Sequence, residues 1–270
     1  MLNDLQLEYV ETQVHDEVMT ITLNRPDQLN AMNKGLVKDL RNIFQALYWE
    51  RSVRVVVLRA AGRAFCAGLD LKEASVTDSS SDRDVAALLD GQRSIAEIYV
   101  AMRRCPQPII CCVQGAASGG GFALALASDI RILSEDARMN AAFIRIGLSA
   151  CDMGVSYFMP RMLGMSKASE FMLTGRFISA TEALELGLAN RVVAPEALEK
   201  EAASFCEDML RATPMGLRLT KDVLNLSIDA QGLEAVMALE DRNQMLTSQD
   251  PNFREGVAEF MEKRKPNYSS

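Results

Sequence analysis

An α/β core that gives way to a helical C-terminal region is the fold class this sequence predicts, and three observations predict it. Two apolar, largely β-branched runs, residues 54–58 and 109–113, are continuous rather than alternating, as in strands buried on both faces of a sheet. Segments of helical periodicity lie between such runs. From Glu196 onward the pattern is helical only, so strands with interleaved helices are followed by helices alone. This divides the chain into a core over residues 1–195 and a helical region over 196–270.

The elements follow in order. Leu5, Leu7 and Tyr9 alternate with polar residues, as do Val14 through Leu23, which predicts two strands. Asn24-Arg25-Pro26-Asp27 interrupts the alternation, and Asn33 stands where the N-cap of a helix reaching about Trp49 belongs. Residues 54–58 make a third strand. The Ser- and Asp-rich stretch 75–84 reads as a mobile loop. A helix over 85–104 follows and ends before Pro106 and Pro108, which cannot continue it. Residues 109–113 form a buried strand, and 122–127 a buried helix. A strand over 130–133, an apolar stretch of no definite type over 137–146, and helices over 154–163 and 166–173 complete the core, with Gly164 between the two helices. Helices over 196–212, 214–226, 233–246 and 252–263 make the C-terminal region. Pro214 and Pro251 fall near helix starts, where proline is tolerated.

The composition narrows the function classes. With 270 residues, 49% apolar and 24% charged, the chain can bury a large core. A net charge of −7 argues against nucleic acid or an anionic membrane as partner, while leaving local Arg and Lys groups able to hold a small anion. No apolar run approaches the ~20 residues of a membrane span. Met1-Leu2-Asn3-Asp4 lacks the charge and apolar stretch of a signal peptide, so a cytoplasmic location is expected. The six cysteines are scattered and read as reduced core residues. His15 is the one histidine, so a zinc site is not expected and a Ser-His-Asp triad has a single possible base.

The stretch with most chemical promise runs from Cys111 to Leu124 and places Gly119-Gly120-Gly121 at a helix start. Glycines there let another backbone or a ligand come close. The first helical N–H groups have no partner within the helix, and the helix dipole adds partial positive charge. Such a place can hold an oxygen that is becoming negative. Alone, it reads more readily as a tight strand-to-helix turn packed against a neighbour.

A second stretch, Arg63-Ala64-Phe65-Cys66-Ala67-Gly68-Leu69-Asp70-Leu71, alters that balance. Together with the glycine turn it resembles the crotonase (enoyl-CoA hydratase/isomerase) superfamily. Further matches are Asn24 through Met32, Ser128-Asp129-Ile130-Arg131, Leu173-Thr174-Gly175-Arg176, Ala180, Ala183, Gly187, Leu188, Val192-Val193, Pro195 and the tail Phe260 to Arg264. They occur in the family's order over nearly the whole chain. The resemblance implies a spiral of strand-strand-helix units and a helical C-terminal part that assembles trimers, commonly paired into hexamers. It also implies an acyl-CoA thioester as substrate, with coenzyme A as part of it and no prosthetic group.

The site residues follow from that resemblance. The backbone N–H groups of Leu69 and Gly120 would form an oxyanion hole for the thioester carbonyl. One such donor is typically worth about 3–4 kcal/mol in the transition state. Arg25 would lie near the phosphates, with main-chain groups of Ala67 and Leu69 facing the adenine and pantetheine. Phe260 and Lys263 would reach the nucleotide end, of the same or a neighbouring subunit. Phe143 and Met153, with Met139 and Phe158, suggest an apolar acyl pocket.

The sequence departs from the hydratase pattern at its acid/base groups. The two glutamates of the family's hydratases fall here on Ala123 and on Phe143, or Ile144 with a one-residue slip. Neither type of residue moves a proton, whereas hydration needs one group to activate water and another to protonate the α-carbon. Asp152 remains. Aligned back from Pro160 and Gly164, with a one-residue insertion, it matches an aspartate of the dienoyl-CoA isomerase and ring-opening phenylacetate-pathway isomerase branches. One carboxylate suffices for a 1,3 proton shift, and an apolar surround raises its pKa toward that task. The competing reading is a helix N-cap. The sequence therefore favours an isomerase using Leu69, Gly120 and Asp152. An atypical hydratase and a non-catalytic acyl-CoA-binding relative are the alternatives.

Overall fold

Consecutive turns of a strand-strand-helix spiral explain why distant stretches of this chain meet. The computed structural model describes Leu2, residues 5–73 and residues 84–269. Strands β1 (Val10–His15) and β2 (Val18–Leu23) form an antiparallel hairpin, and β2 then pairs in parallel with β3 (Val55–Ala60). The parallel order continues through β4 (Ile109–Val113), β6 (Ile130–Ser134) and β9 (Arg191–Val193). Each parallel step needs a crossover connection. Helices α1 (Lys34–Leu47), α2 (Val85–Arg104) and α3 (Gly120–Ala127) provide the first three.

A second, narrower ladder runs beside the large sheet. Met32 bridges Leu69, Cys66 bridges Ala117, and β5 (Ala116–Ser118) pairs with β7 (Arg138–Asn140), which pairs with β8 (Ile178–Ser179). Each turn of the spiral thus contributes one strand to the large sheet and a short extended piece to the ladder. Residues 32, 66–69, 116–118 and 138–140 stack although tens of residues separate them.

Packing follows the alternation of the strands. Val56 and Leu58 of β3 face the main core, with Leu36, Leu40, Ile43, Phe44 and Leu47 of α1. These recur at helical spacing and lay one apolar stripe on the sheet. Val55 and Val57 point the other way, joining Ile110, Cys112 and Ile132 under α7 (Leu198–Leu210) through Leu198, Ala202 and Cys206. Strands covered on both sides read as unbroken apolar runs for this reason. Asn33 caps α1 as expected, its Oδ1 accepting from Leu36 N–H at 2.8 Å.

After the core, α4 (Val155–Leu163), α5 (Met165–Thr174) and α6 (Ala180–Glu185) lead to α7. The chain then ends in α8 (Pro214–Ser227), α9 (Leu233–Ser248) and α10 (Pro251–Glu262). Among the described residues, no helix is long and apolar enough to cross a membrane, and no group of three His, Cys, Asp or Glu is placed to hold a metal.

Two expectations are corrected. Leu5, Leu7 and Tyr9 form no strand; they pack as partly buried side chains against the core. The strand expected over 14–23 is instead the end of β1, a turn and β2, because Asp16 and Glu17 both adopt positive φ (45° and 63°) and reverse the chain. A two-residue hairpin loop requires that conformation, and neither residue is the Gly or Asn that advertises it. The indefinite stretch 137–146 resolves into β7 and a 3-10 turn, Ala142–Ile146. The stretch expected as a mobile loop, 75–84, lies outside the described residues except for Asp84, which caps α2.

Candidate active site

The site forms where the second and third turns of the spiral touch. Cys66 N–H donates to Ala116 O (3.0 Å) and Ser118 N–H to Cys66 O (2.9 Å), so the two turns run side by side up to the glycines. A Cβ on Gly121 would stand 2.3 Å from the Cys66 carbonyl oxygen, which glycine alone avoids. Gly68 adopts φ +97°, and a Cβ there would meet Ser118 O at 2.9 Å. Both glycines permit close approach of backbone to backbone.

That contact leaves two amides available. Met32 N–H donates to Gly68 O and Asp70 N–H to Met32 O, bracketing Leu69 without using its own N–H. Gly120 is the first residue of α3, and the first helical bond runs from Ala123 N–H to Gly119 O. Among the described residues neither the Leu69 nor the Gly120 amide has a backbone partner.

Around Gly120 lies a buried, sulfur-rich shell. Its missing Cβ would meet Met32 Sδ at 2.7 Å, Tyr99 OH at 3.1 Å and Met153 Sδ at 3.2 Å. The buried Tyr99 hydroxyl donates to Gly120 O at 3.1 Å and lies 3.2 Å from Met153 Sδ. The Phe143 ring covers Gly119, and Phe158 lies against Gly154. Burial pushes the Tyr99 phenol well above its ordinary value, and the Cys66 thiol up to about 12, so both stay protonated at neutral pH.

Asp152 sits at the edge of this shell, half-buried. Its Oδ1 accepts from Met153 N–H at 2.7 Å and from Gln92 Nε2 at 2.6 Å. It does not cap α4: the cap position is Gly154, and Val155 N–H goes to the Asp152 main-chain oxygen. Burial raises the carboxyl pKa above the ordinary aspartate value, while the Met153 and Gln92 donors oppose the rise. Ala123 and Phe143, at the positions of the hydratase glutamates, are both buried.

The other expected residues are placed as follows. Phe143 and Met153 join the shell, and Met139 is buried in β7 beneath it. Arg25 is drawn inward: its side chain and that of Asp70 are 11% and 14% exposed and pair at 3.1 Å. It also donates to Ala31 O and lies over the Tyr9 ring. Ala67 donates its N–H to Leu29 O. Phe260 and Lys263 lie on the exposed surface of α10 and its end. Glu73 lies in an exposed turn, and Asp129 is engaged structurally by Ile109 N–H, Arg103 and Lys221.

Two residues around the site carry no motif, Gln92 and Tyr99, whereas Met32 closes the Asn24 to Met32 match. Gln92 and Tyr99 share a helix face at a spacing of seven, the one sequence signal that pairs them. Two clefts, of about 1200 and 1030 Å³, lie elsewhere and are lined by none of Leu69, Gly120 and Asp152. Geometry and chemistry mark the site here, not cavity size.

Known proteins share this architecture. A family model described as enoyl-CoA hydratase/isomerase matches residues 13–270. A Mycobacterium leprae protein named "Probable enoyl-CoA hydratase" is 39% identical over 250 residues, covering 92% of this chain and 85% of its own. The 1,2-epoxyphenylacetyl-CoA isomerase of Escherichia coli is 32% identical over 263 residues, covering 97% and 99%. The crystal structure of an enoyl-CoA hydratase from Bacillus anthracis superposes with a TM-score of 0.89 at 31% identity, covering 97% of this chain and 99% of that one. The chain belongs to the enoyl-CoA hydratase/isomerase family of the crotonase superfamily, a family of acyl-CoA-processing enzymes.

Proposed function

We propose that this protein isomerises an enoyl-CoA by a 1,3 proton shift, with Asp152 as its one acid/base and the Leu69 and Gly120 amides as its oxyanion hole. The observation that carries this reading is the half-buried Asp152 carboxylate next to Met153, in a shell where both hydratase glutamate positions are apolar and buried. Asp152 takes the proton from the α-carbon of a 3-enoyl thioester, and the C–H electrons move onto the carbonyl oxygen. The two amides meet that charge without reorganising. The resulting dienolate collapses as Asp152 returns the proton to the γ-carbon, leaving the double bond conjugated with the thioester. No net proton is gained or lost.

Hydration is the second reading, favoured by the name of the mycobacterial relative. Mass spectrometry of a 3-enoyl-CoA and a 2-enoyl-CoA incubated with the protein separates the two. Isomerisation leaves the mass unchanged and moves the double bond; hydration adds one water. Binding without either product would leave a non-catalytic relative.

Self-association belongs to the same proposal. Leu233, Met245, Phe260 and Met261 of α9 and α10 are largely exposed in the single chain, and apolar surface of that extent marks an interaction face. A homotrimer, or two stacked trimers, would cover it and bring Phe260 and Lys263 toward a neighbour's nucleotide end. Arg25 would then act on the phosphates only at the edge of its ion pair with Asp70.

A further inference from the structure

Helix α2 carries two side chains that reach the site from one face. Gln92 donates from Nε2 to Asp152 Oδ1 at 2.6 Å. Two turns later, Tyr99 donates to Gly120 O and lies against Met153 Sδ. Residues seven apart stand on the same side of a helix, so one rigid element touches both the carboxylate and the glycine turn. Asp152 Oδ1 is already occupied twice, by Gln92 and by Met153 N–H, whereas Oδ2 has no hydrogen-bond partner among the described residues.

We infer that α2 is the positioning element for proton transfer: Gln92 holds Asp152 by Oδ1 and leaves Oδ2 as the oxygen that takes and returns the proton. This rests on the isomerase reading above and adds to it a residue and a choice of oxygen. Gln92 touches the carboxylate, so it acts through Asp152. Its donor also favours the ionised carboxylate against the desolvation that burial imposes. The other titratable groups facing this corner are Tyr99 from α2 and Cys66 from beside Gly121, both held protonated by burial. The Asp90–Arg93 pair stands on the exposed surface of α2.

The test uses the full-length protein with aspartate carboxyl carbons labelled with ¹³C, the Asp152 signal being assigned by its absence in Asp152→Asn. Gln92→Leu removes the donor on an exposed helix face, where folding is little affected. Its Asp152 midpoint is expected to rise by about one pH unit. The acid limb of α-proton exchange on a 3-enoyl-CoA should rise with it, with kcat lowered and KM unchanged. Gln92→Glu places a second carboxyl against Oδ1 and should move the midpoint further up. An Asp152 midpoint that stays at the wild-type value in both variants overturns the inference. If exchange survives in Asp152→Asn, the shuttle reading falls instead, and the NMR titration still decides whether Gln92 holds the carboxylate.

Discussion

The hydroxyl of Tyr99, buried in α2, donates to the carbonyl oxygen of Gly120 at 3.1 Å and ties the helix to the glycine turn. Tyr99→Phe keeps the ring and removes that donor alone. A net hydrogen bond contributes about 1 kcal/mol, so the melting temperature should fall by about 2–4 °C for a chain of this size. Because the bond steadies Gly120, turnover should fall with KM nearly constant. Calorimetry and steady-state kinetics read the two effects separately.

Gly121→Ala tests whether close contact between the two turns is required. The added Cβ would stand 2.3 Å from Cys66 O, a backbone atom that cannot swing away. Parting the turns should cost at least about 1–3 kcal/mol and abolish exchange. Gly147→Ala is the control, since no atom lies within 4 Å of its Cβ position. It carries only the strain of its φ of +84°, about 1 kcal/mol, and should leave exchange intact. Urea melts and exchange rates of both variants decide this.

Much of this arrangement was readable from residue order, and the unread part has physical causes. The Asn33 cap, the span of α2 ending before Pro106, and the buried run Ile109–Val113 all follow from local chemistry. The second ladder does not, because β5, β7 and β8 are three, three and two residues long. No period-two pattern can be read from so few positions. The hairpin at Asp16-Glu17 lacks the residues that announce positive φ. For the site, the glycine turn stood out on its own residues, Leu69 came from a resemblance, and the geometry supplies two amides without backbone partners among the described residues. Gln92 stayed hidden because a glutamine on an exposed helix face looks like any solvated residue. Only the fold brings Asp152 to it, sixty positions on.

The raised pKa of Asp152 makes a signed prediction for stability. Burial lifts the folded carboxyl above its unfolded value, so the folded state binds more protons and this group's contribution falls as pH rises through that window. Asp152→Asn keeps an oxygen for Met153 N–H and Gln92, and removes the cost of the desolvated charge. Its melting temperature should match wild type below about pH 4 and exceed it at neutral pH. Because the carboxylate is half-exposed and screened by solvent, the gain is at most about 1 kcal/mol. Thermal melts of both proteins across pH check the sign, and a variant no more stable than wild type at neutral pH would contradict it.

Arg25 and Asp70 make a largely buried pair at 3.1 Å. Arg25→Met leaves Asp70 without its counterion and should destabilise the fold by about 3 kcal/mol. Arg25→Met combined with Asp70→Asn should recover much of that loss. If Arg25 also serves the phosphates, the double variant will regain stability while its KM for acyl-CoA stays raised. Denaturant melts beside KM measurements show which role dominates.

The most direct measurement is hydrogen exchange at the α-carbon. Wild type and Asp152→Asn are each incubated with a 3-enoyl-CoA in D₂O, and the recovered thioesters are analysed by mass spectrometry. An enolate formed by Asp152 under the Leu69 and Gly120 amides predicts deuterium at the α-carbon with wild type and none with Asp152→Asn, while both bind the thioester. Equal incorporation by the two proteins, or none by wild type across short, long and aromatic acyl chains that bind, would contradict it.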